Sequence, residues 1–391
     1  LDSASAFLEF MLAVSVSYVF LITSDTFCVL PIAPALQLLN ISSRFIESLR
    51  PDTPMNILER RSKALYQALI PFNHLMSTKQ NLVVIPDGIL SKLPFGLLIN
   101  SSSHDETTRS PAYLIHQYNI RHAHSLTLDH HWVRNVHTNQ LNQLLAFAPT
   151  YTNTQKSPVE EGSHQSAYVN SLIWNKNEVE VIKKMLGQGT FFVGSQASEA
   201  EFKAVAANYQ IIHLATHALA DTKDPMNSKI LFDPTQDSTE DGQLHIYALI
   251  QMKLHADLVV HSASETGDGA VNAGDGVISI AKGFAYAVVP SLLMSHWQVD
   301  DQVSSFIMEK FYAGLLQGMT KSEALRSSKL EYLRQASPNR RHPFYWGAFS
   351  IQGDDVAVFE SSVNFNKYHG ILLVVCTMIM AFLLLKISTR H

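Results

Sequence analysis

The stretch His261-Ser262-Ala263-Ser264-Glu265-Thr266-Gly267 sets a hydroxyl-bearing residue beside a carboxylate and a glycine, directly after the apolar run Leu258-Val259-Val260. A serine becomes a nucleophile only when a base stands within hydrogen-bond reach. The chain offers one, because the run Gln210-Ile211-Ile212-His213-Leu214-Ala215 ends in Thr216-His217. Both runs read as strands, and open parallel sheets gather their binding sites at the carboxyl ends of strands. If the two strands are neighbours, Ser264 and His217 make a nucleophile and base pair. Backbone N–H groups of the loop, at Ala263 and Gly267, then face a developing oxyanion, and Gly269, Gly274 and Gly276 let backbone approach closely. The plainer alternative is that His217 is one of 18 histidines and that the glycines merely turn a strand into a helix from Val277 to Ala287.

The elements that must position these residues alternate along the chain. Short apolar runs bounded by polar or turn residues predict strands at Leu82–Ile85, Ala112–Ala123, Leu144–Ala148, Phe191–Val193, Ile211–Leu214, Leu258–Val260, Ser291–Met294 and Ala348–Ile351. An N-terminal pair, Tyr18–Ile22 and Phe27–Leu30, flanks a turn at Asp25. Between the strands lie helices. Asn175–Leu186 sets Val179, Ile182 and Leu186 on one face and stops at Gly187, while Gln302–Leu316 turns Val303, Phe306, Ile307 and Leu315 inward. Ser198 with Glu201, and Thr320 with Glu323, have capping-box spacing. Strands separated by helical patterns predict an α/β fold with a mostly parallel sheet flanked by helices on both faces. The polar stretches 101–109 and 151–166 lack periodicity and read as surface loops or lids.

Composition narrows the classes. A chain of 391 residues with 46% hydrophobic and 16% charged side chains is globular. A net charge of -5 and a pI near 6.4 present no basic footprint for nucleic acid. Two cysteines, Cys28 and Cys376, exclude a disulfide framework and a cysteine-rich zinc site, and a reducing compartment is the simpler expectation. His213 and His217 share an i, i+4 spacing, yet the run before them reads as strand, so a common metal-ligating face is not expected.

One membrane signal stands at the C-terminus. Residues 370–385 carry no charge, and Lys386, Arg390 and His391 follow. Sixteen residues at a helical rise give ~24 Å, a little short of a ~30 Å hydrocarbon core, a gap that snorkelling by Lys386 and the apolar Ile387 can close. The expectation is a single-pass C-terminal anchor over 370–387 behind a linker at 359–369, with the folded part cytoplasmic; a buried or interfacial terminal helix is the alternative. The run Phe10–Ile22 has no preceding basic region and is broken by Ser15 and Ser17, which argues against a signal peptide.

Several blocks together resemble a known family. They are Asn81-Leu82-Val83-Val84-Ile85-Pro86-Asp87-Gly88 with Leu93-Pro94-Phe95, His213-Leu214-Ala215-Thr216-His217, Ser262 to Gly267, and Gly274-Asp275-Gly276-Val277-Ile278. His296-Trp297-Gln298-Val299-Asp300-Asp301 and Phe344-Tyr345-Trp346-Gly347-Ala348-Phe349 complete the series. In order and spacing they resemble the CHAT domain, over roughly residues 6–355. The resemblance implies a caspase-like, clan CD peptidase fold, with a smaller pseudo-caspase half over 1–150 and the site-bearing half over 151–358. Bacterial members with a terminal anchor are similar in plan. It implies a protein or peptide partner, no cofactor and no metal, and TPR repeats upstream in a parent protein, since none appears here.

The resemblance also assigns roles. His217 matches the general base and position 264 the nucleophile, where the family has Cys and this chain has Ser264. A thiol is partly ionised near neutrality, whereas an alcohol needs strong base assistance that such dyads lack. Cleavage is therefore expected to be weak or absent, leaving either an impaired peptidase or a non-catalytic binding or signalling module. Asp300 or Asp301, with Glu265 or Asp268 as alternatives, would bind a basic substrate side chain. Against that, Asp300 and Asp301 can simply cap the helix that follows. His213 reads as a structural strand residue.

Overall fold

The structure is a computed structural model that describes residues 2–129, 142–151, 175–219, 221, 224–262, 270–272, 276–278, 280–297 and 300–359. An eleven-stranded sheet runs through it. From edge to edge the strands are Phe27–Ile32, Ser17–Ile22, Ser5–Met11, Asn81–Ile85, Asn119–His122, Phe349–Gly353, Ser291–Ser295, Leu258–His261, Tyr209–Leu214, Asn142–Ala148 and Thr190–Val193. Pairing is antiparallel among the first three and between Ser291–Ser295 and Phe349–Gly353, and parallel elsewhere. The strands at the Asp25 turn thus form the expected hairpin.

Alternation along the central strands divides their side chains between two cores. Ile211, Leu258, Val260 and Leu293 face a cluster built with helices Ala35–Glu47, Met55–Leu69, Asp301–Leu316 and Lys321–Gln335. Ile212, Leu214, Val259, Leu292 and Met294 face a second cluster with Phe202, Phe232 and Phe284. A strand covered on both faces is apolar at nearly every position, which is why these runs look continuous rather than alternating; the buried exceptions His213 and His261 have polar contacts. Each such side chain taken wholly from water contributes roughly 1.5–3 kcal/mol. The helices are capped as their sequences predict: Ser198 accepts from the Glu201 N–H at 3.2 Å and Thr320 from that of Glu323 at 3.3 Å.

Residues 1–150 and 151–358 share this sheet, and the strand Asn142–Ala148 lies between Tyr209–Leu214 and Thr190–Val193. A further parallel pairing across that boundary joins Asn119–His122 to Phe349–Gly353. There the Arg121 guanidinium is buried, forked onto both oxygens of Asp129 and donating to the Gly353 carbonyl at 2.7 Å.

Three local expectations change. Ala112–Ala123 is not one strand but Ser110–Tyr113, a turn of 3-10 helix at Leu114–His116, and Asn119–His122. Arg326 explains the break, because its guanidinium takes the carbonyls of Ile115 and His116 at 2.7 and 2.6 Å and draws them off the strand path. The polar stretch 101–109 is largely a strand, Ile99–Asp105, in a hairpin with Ser110–Tyr113. Backbone pairing rather than apolar alternation makes it, and Thr108 closes the turn on Asp105 Oδ1. The helix expected from Val277 starts at Ile280, and Gly276–Ile278 instead pairs with Ala270–Asn272. The stretch 152–166 and the apolar run 370–387 lie outside the described residues. Among the described residues no helix is long and apolar enough to cross a membrane.

Candidate functional site

The strands carrying the candidate base and leading to the candidate nucleophile are hydrogen-bonded neighbours. Tyr209–Leu214 and Leu258–His261 run parallel with Ile211 opposite Leu258 and Leu214 opposite His261, and the Ser262 N–H continues the ladder to the Leu214 carbonyl at 3.1 Å. Thr216-His217 and Ser262 therefore leave the sheet side by side at its carboxyl edge. Ala263, Ser264, Glu265, Gly267 and Asp268 lie outside the described residues.

His217 is clamped by its backbone. Its N–H donates to Tyr151 Oη at 2.9 Å, the Tyr151 hydroxyl donates to the Leu231 carbonyl at 3.0 Å, and the Leu231 N–H returns to the His217 carbonyl at 2.9 Å. The Tyr151 ring also lies against the imidazole, with centroids 4.8 Å apart. Burial pushes the Tyr151 phenol far up, so it stays protonated and can donate to one strand while accepting from the other. His217 is 9% exposed, enclosed but reachable.

Around it, Asn175 ties the start of the helix Asn175–Leu186 to the carbonyls of Pro149 and Ala215 at 2.9 and 3.3 Å. His261 is fully buried, with Nε2 3.4 Å from Thr216 Oγ1, so it links the ends of the two central strands and accounts for a polar residue in an apolar run. His213 points to the opposite face from Leu214. Its Nδ1 is 3.1 Å from the Tyr312 hydroxyl and its Nε2 2.9 Å from Glu178 Oε1, while Ser304 donates to the other Glu178 oxygen. That buried polar knot sits between the sheet and two helices, away from His217. Tyr151 and Asn175 carried no signal in the sequence, since each borders a polar, aperiodic stretch.

Asp300 takes the capping geometry. Its Oδ1 accepts from the Val303 N–H at 3.2 Å and its Oδ2 from Arg340 at 2.6 Å, with the guanidinium stacked 4.7 Å above the Tyr345 ring. Asp301 is the first residue of the same helix. Trp297 donates its indole N–H to the Phe344 carbonyl at 2.9 Å, and Trp346 is fully buried.

The model of the CHAT domain family matches residues 59–354. Tetratricopeptide repeat protein 28 of Homo sapiens is 25% identical over 321 residues, an alignment covering 72% of this chain and 12% of that protein. Its Mus musculus counterpart aligns to the same extent. These relatives are mammalian and lend nothing to a bacterial assignment. Among solved structures, the Saccharomyces cerevisiae separase–securin complex is 10% identical and covers 78% of this chain and 18% of that one, with a TM-score of 0.45. The Arg-specific cysteine proteinase gingipain R is 9% identical over 81% of this chain and 71% of that one, also at 0.45. Scores at that level carry no argument about chemistry.

Proposed function

We propose, from the premise that this chain belongs to the CHAT domain family, that it binds a peptide segment of a protein partner in a caspase-like site whose cleavage activity is weak or absent. The observation that carries this is the adjacency of two strand ends: His217 leaves the sheet beside Ser262, two residues before Ser264. In the related thiol chemistry the imidazole mainly protonates the leaving amine. With Ser264 the same imidazole would also have to take the hydroxyl proton during attack, because an alcohol, unlike a thiol, is not ionised near neutrality. A non-catalytic binding or signalling module is the second reading, favoured by the same serine. Asp301, Glu265 and Asp268 are proposed as the acidic lining for a basic side chain. Asp300, engaged by Arg340 and the helix end, is the weaker candidate.

Anchoring through the apolar run 370–387, with the folded part cytoplasmic, belongs to this proposal. So does a tetratricopeptide module upstream, suggested by the name of the two mammalian relatives, of whose length the chain spans 12%. The site is tested by Ser264→Cys: cleavage of Arg- or Lys-containing peptides that His217→Ala abolishes supports an intact peptidase pocket. If Ser264→Cys neither cleaves nor reacts with a thiol-directed active-site probe, the peptidase reading is lost and the binding module stands. Labelling of the unaltered chain by a fluorophosphonate would show that Ser264 itself is reactive. Fractionation before and after deletion beyond Asn366 tests the anchor.

A further inference from the structure

A small, mostly apolar cleft with a few polar groups in its wall lies under the helix Lys321–Gln335. Its walls include Phe95, His122, Ser322, Arg326, Lys329 and Ser350. It lies on the strands Asn119–His122 and Phe349–Gly353, the latter three strands from Tyr209–Leu214, or roughly 14 Å at the usual strand spacing. It is thus separate from the His217 site. About 30 Å³ of it is open to the centre of a water molecule, where one water requires ~10–15 Å³.

Lys329 makes this cleft unusual. Its side chain is buried, the residue being 6% exposed, and its ammonium donates to the Phe349 carbonyl. The nearby carboxylates are committed elsewhere: Asp354 to Lys321 at 3.0 Å, and Asp355 to the N–H and hydroxyl of Ser322 at 2.7 and 2.6 Å. Among the described residues no carboxylate stands at ion-pair distance from Lys329. Burial brings its pKa down to about 7. Ser350 Oγ is buried without a hydrogen-bond partner, whereas the His122 ring lies against the backbone of Leu93 and Ile351. Burial lowers the His122 pKa to about 4, so the imidazole is neutral and adds no competing cation. An ammonium has three donors, a buried one without a counter-charge is costly, and a buried hydroxyl without a partner costs about 1–3 kcal/mol. The set lacks an acceptor, and specifically an anionic one. It offers no carboxylate ligand for a metal.

We propose that this cleft binds a small carboxylate-type oxyanion, of formate or bicarbonate size, held between Lys329 Nζ and Ser350 Oγ with His122 as a neutral neighbour. The ligand would supply the missing acceptor for both groups and would favour the charged ammonium, so binding takes up protons near neutral pH. Arg326 contributes shape at the wall, since its guanidinium is spent on the Ile115 and His116 carbonyls.

Calorimetric titration of the full chain with sodium formate, and separately with bicarbonate, at neutral pH in two buffers of different ionisation heat tests this. Saturable binding with buffer-dependent heat is expected for at least one of the two. Lys329→Met should weaken it at least tenfold, about 1.4 kcal/mol. Ser350→Ala should weaken it several-fold, and Lys310→Ala on the adjacent helix should leave it unchanged. Benzoate, too large for the cleft, should not bind. Absence of saturable heat with both ligands means that the cleft holds water alone and overturns the proposal. Unchanged affinity in Lys329→Met overturns it equally. Should Lys329→Met fail to fold, unchanged affinity in Ser350→Ala, which removes one oxygen only, does the same.

Discussion

Removal of a single oxygen from Tyr151 tests the clamp on His217. Tyr151→Phe keeps the ring packed against the imidazole at 4.8 Å but deletes the acceptor of the His217 N–H and the donor to the Leu231 carbonyl. Both backbone groups are buried in a strand-end turn that water does not reach readily. At about 1–3 kcal/mol for each of the two orphaned groups, the expected loss is roughly 2–6 kcal/mol. With an unfolding entropy of ~2.1 cal/mol/K per residue over the roughly 310 described residues, that corresponds to a Tm lower by roughly 3–9 °C. Urea denaturation followed by fluorescence and circular dichroism measures it, with the slope against urea unchanged. Tyr151→Ala also empties the ring's space and should cost about 3–5 kcal/mol for the cavity in addition. In the Ser264→Cys background, Tyr151→Phe should slow reaction of the new thiol more than the stability change alone predicts, because the base is no longer fixed. A Tyr151→Phe midpoint within about 0.5 kcal/mol of the parent would refute the clamp.

Other consequences are equally direct. Asp129→Ala leaves the Arg121 guanidinium buried without its carboxylate and should cost about 3–5 kcal/mol by urea titration, loosening the join between Asn119–His122 and Phe349–Gly353. Gly353 has φ +94°, and a Cβ there would run into the Pro290 carbonyl, so Gly353→Ala should unfold the chain or lower its yield of soluble protein sharply. Asp300→Ala removes a helix cap and the Arg340 pair and should cost about 1–2 kcal/mol, read as a lower Tm. Burial lowers the pKa values of His122 and His296 to about 4 and about 3. The unfolded chain therefore binds more protons below pH ~6.5, and stability present above that pH is lost as the pH falls toward 4. The urea midpoint should drop across that window, and His122→Phe, whose ring can keep the contact with Phe95, should flatten the drop.

Much of the fold was legible because burial on two faces writes itself into composition. The runs Leu82–Ile85, Ile211–Leu214, Leu258–Val260 and Ser291–Met294 are apolar on both parities apart from His213 and Ser291, and the structure puts their alternate apolar residues into different clusters. The capping pairs Ser198–Glu201 and Thr320–Glu323 were legible because the capping hydrogen bond spans only three residues. The hairpin Ile99–Asp105 with Ser110–Tyr113 was not, since a polar two-stranded ribbon is held by backbone groups that every residue carries. The break at Leu114–His116 was invisible for a related reason: its cause, Arg326, is 210 residues away along the chain.

The candidate site divides the same way. Sequence alone singled out His217, Ser264 and the glycines around them, because residue type and the ends of apolar runs are local facts, and it determined that position 264 holds an oxygen rather than a sulfur. Only tertiary structure decided that the two strands are neighbours, that Tyr151 and Leu231 fix the His217 backbone, and that Asp300 is spent on a helix end and Arg340. It alone brought Lys329 and Ser350, with no carboxylate facing them, into one cleft. Those outcomes depend on pairings between distant segments, whose free energy comes from shared burial and from hydrogen bonds completed only on folding, and no spacing along the chain encodes them.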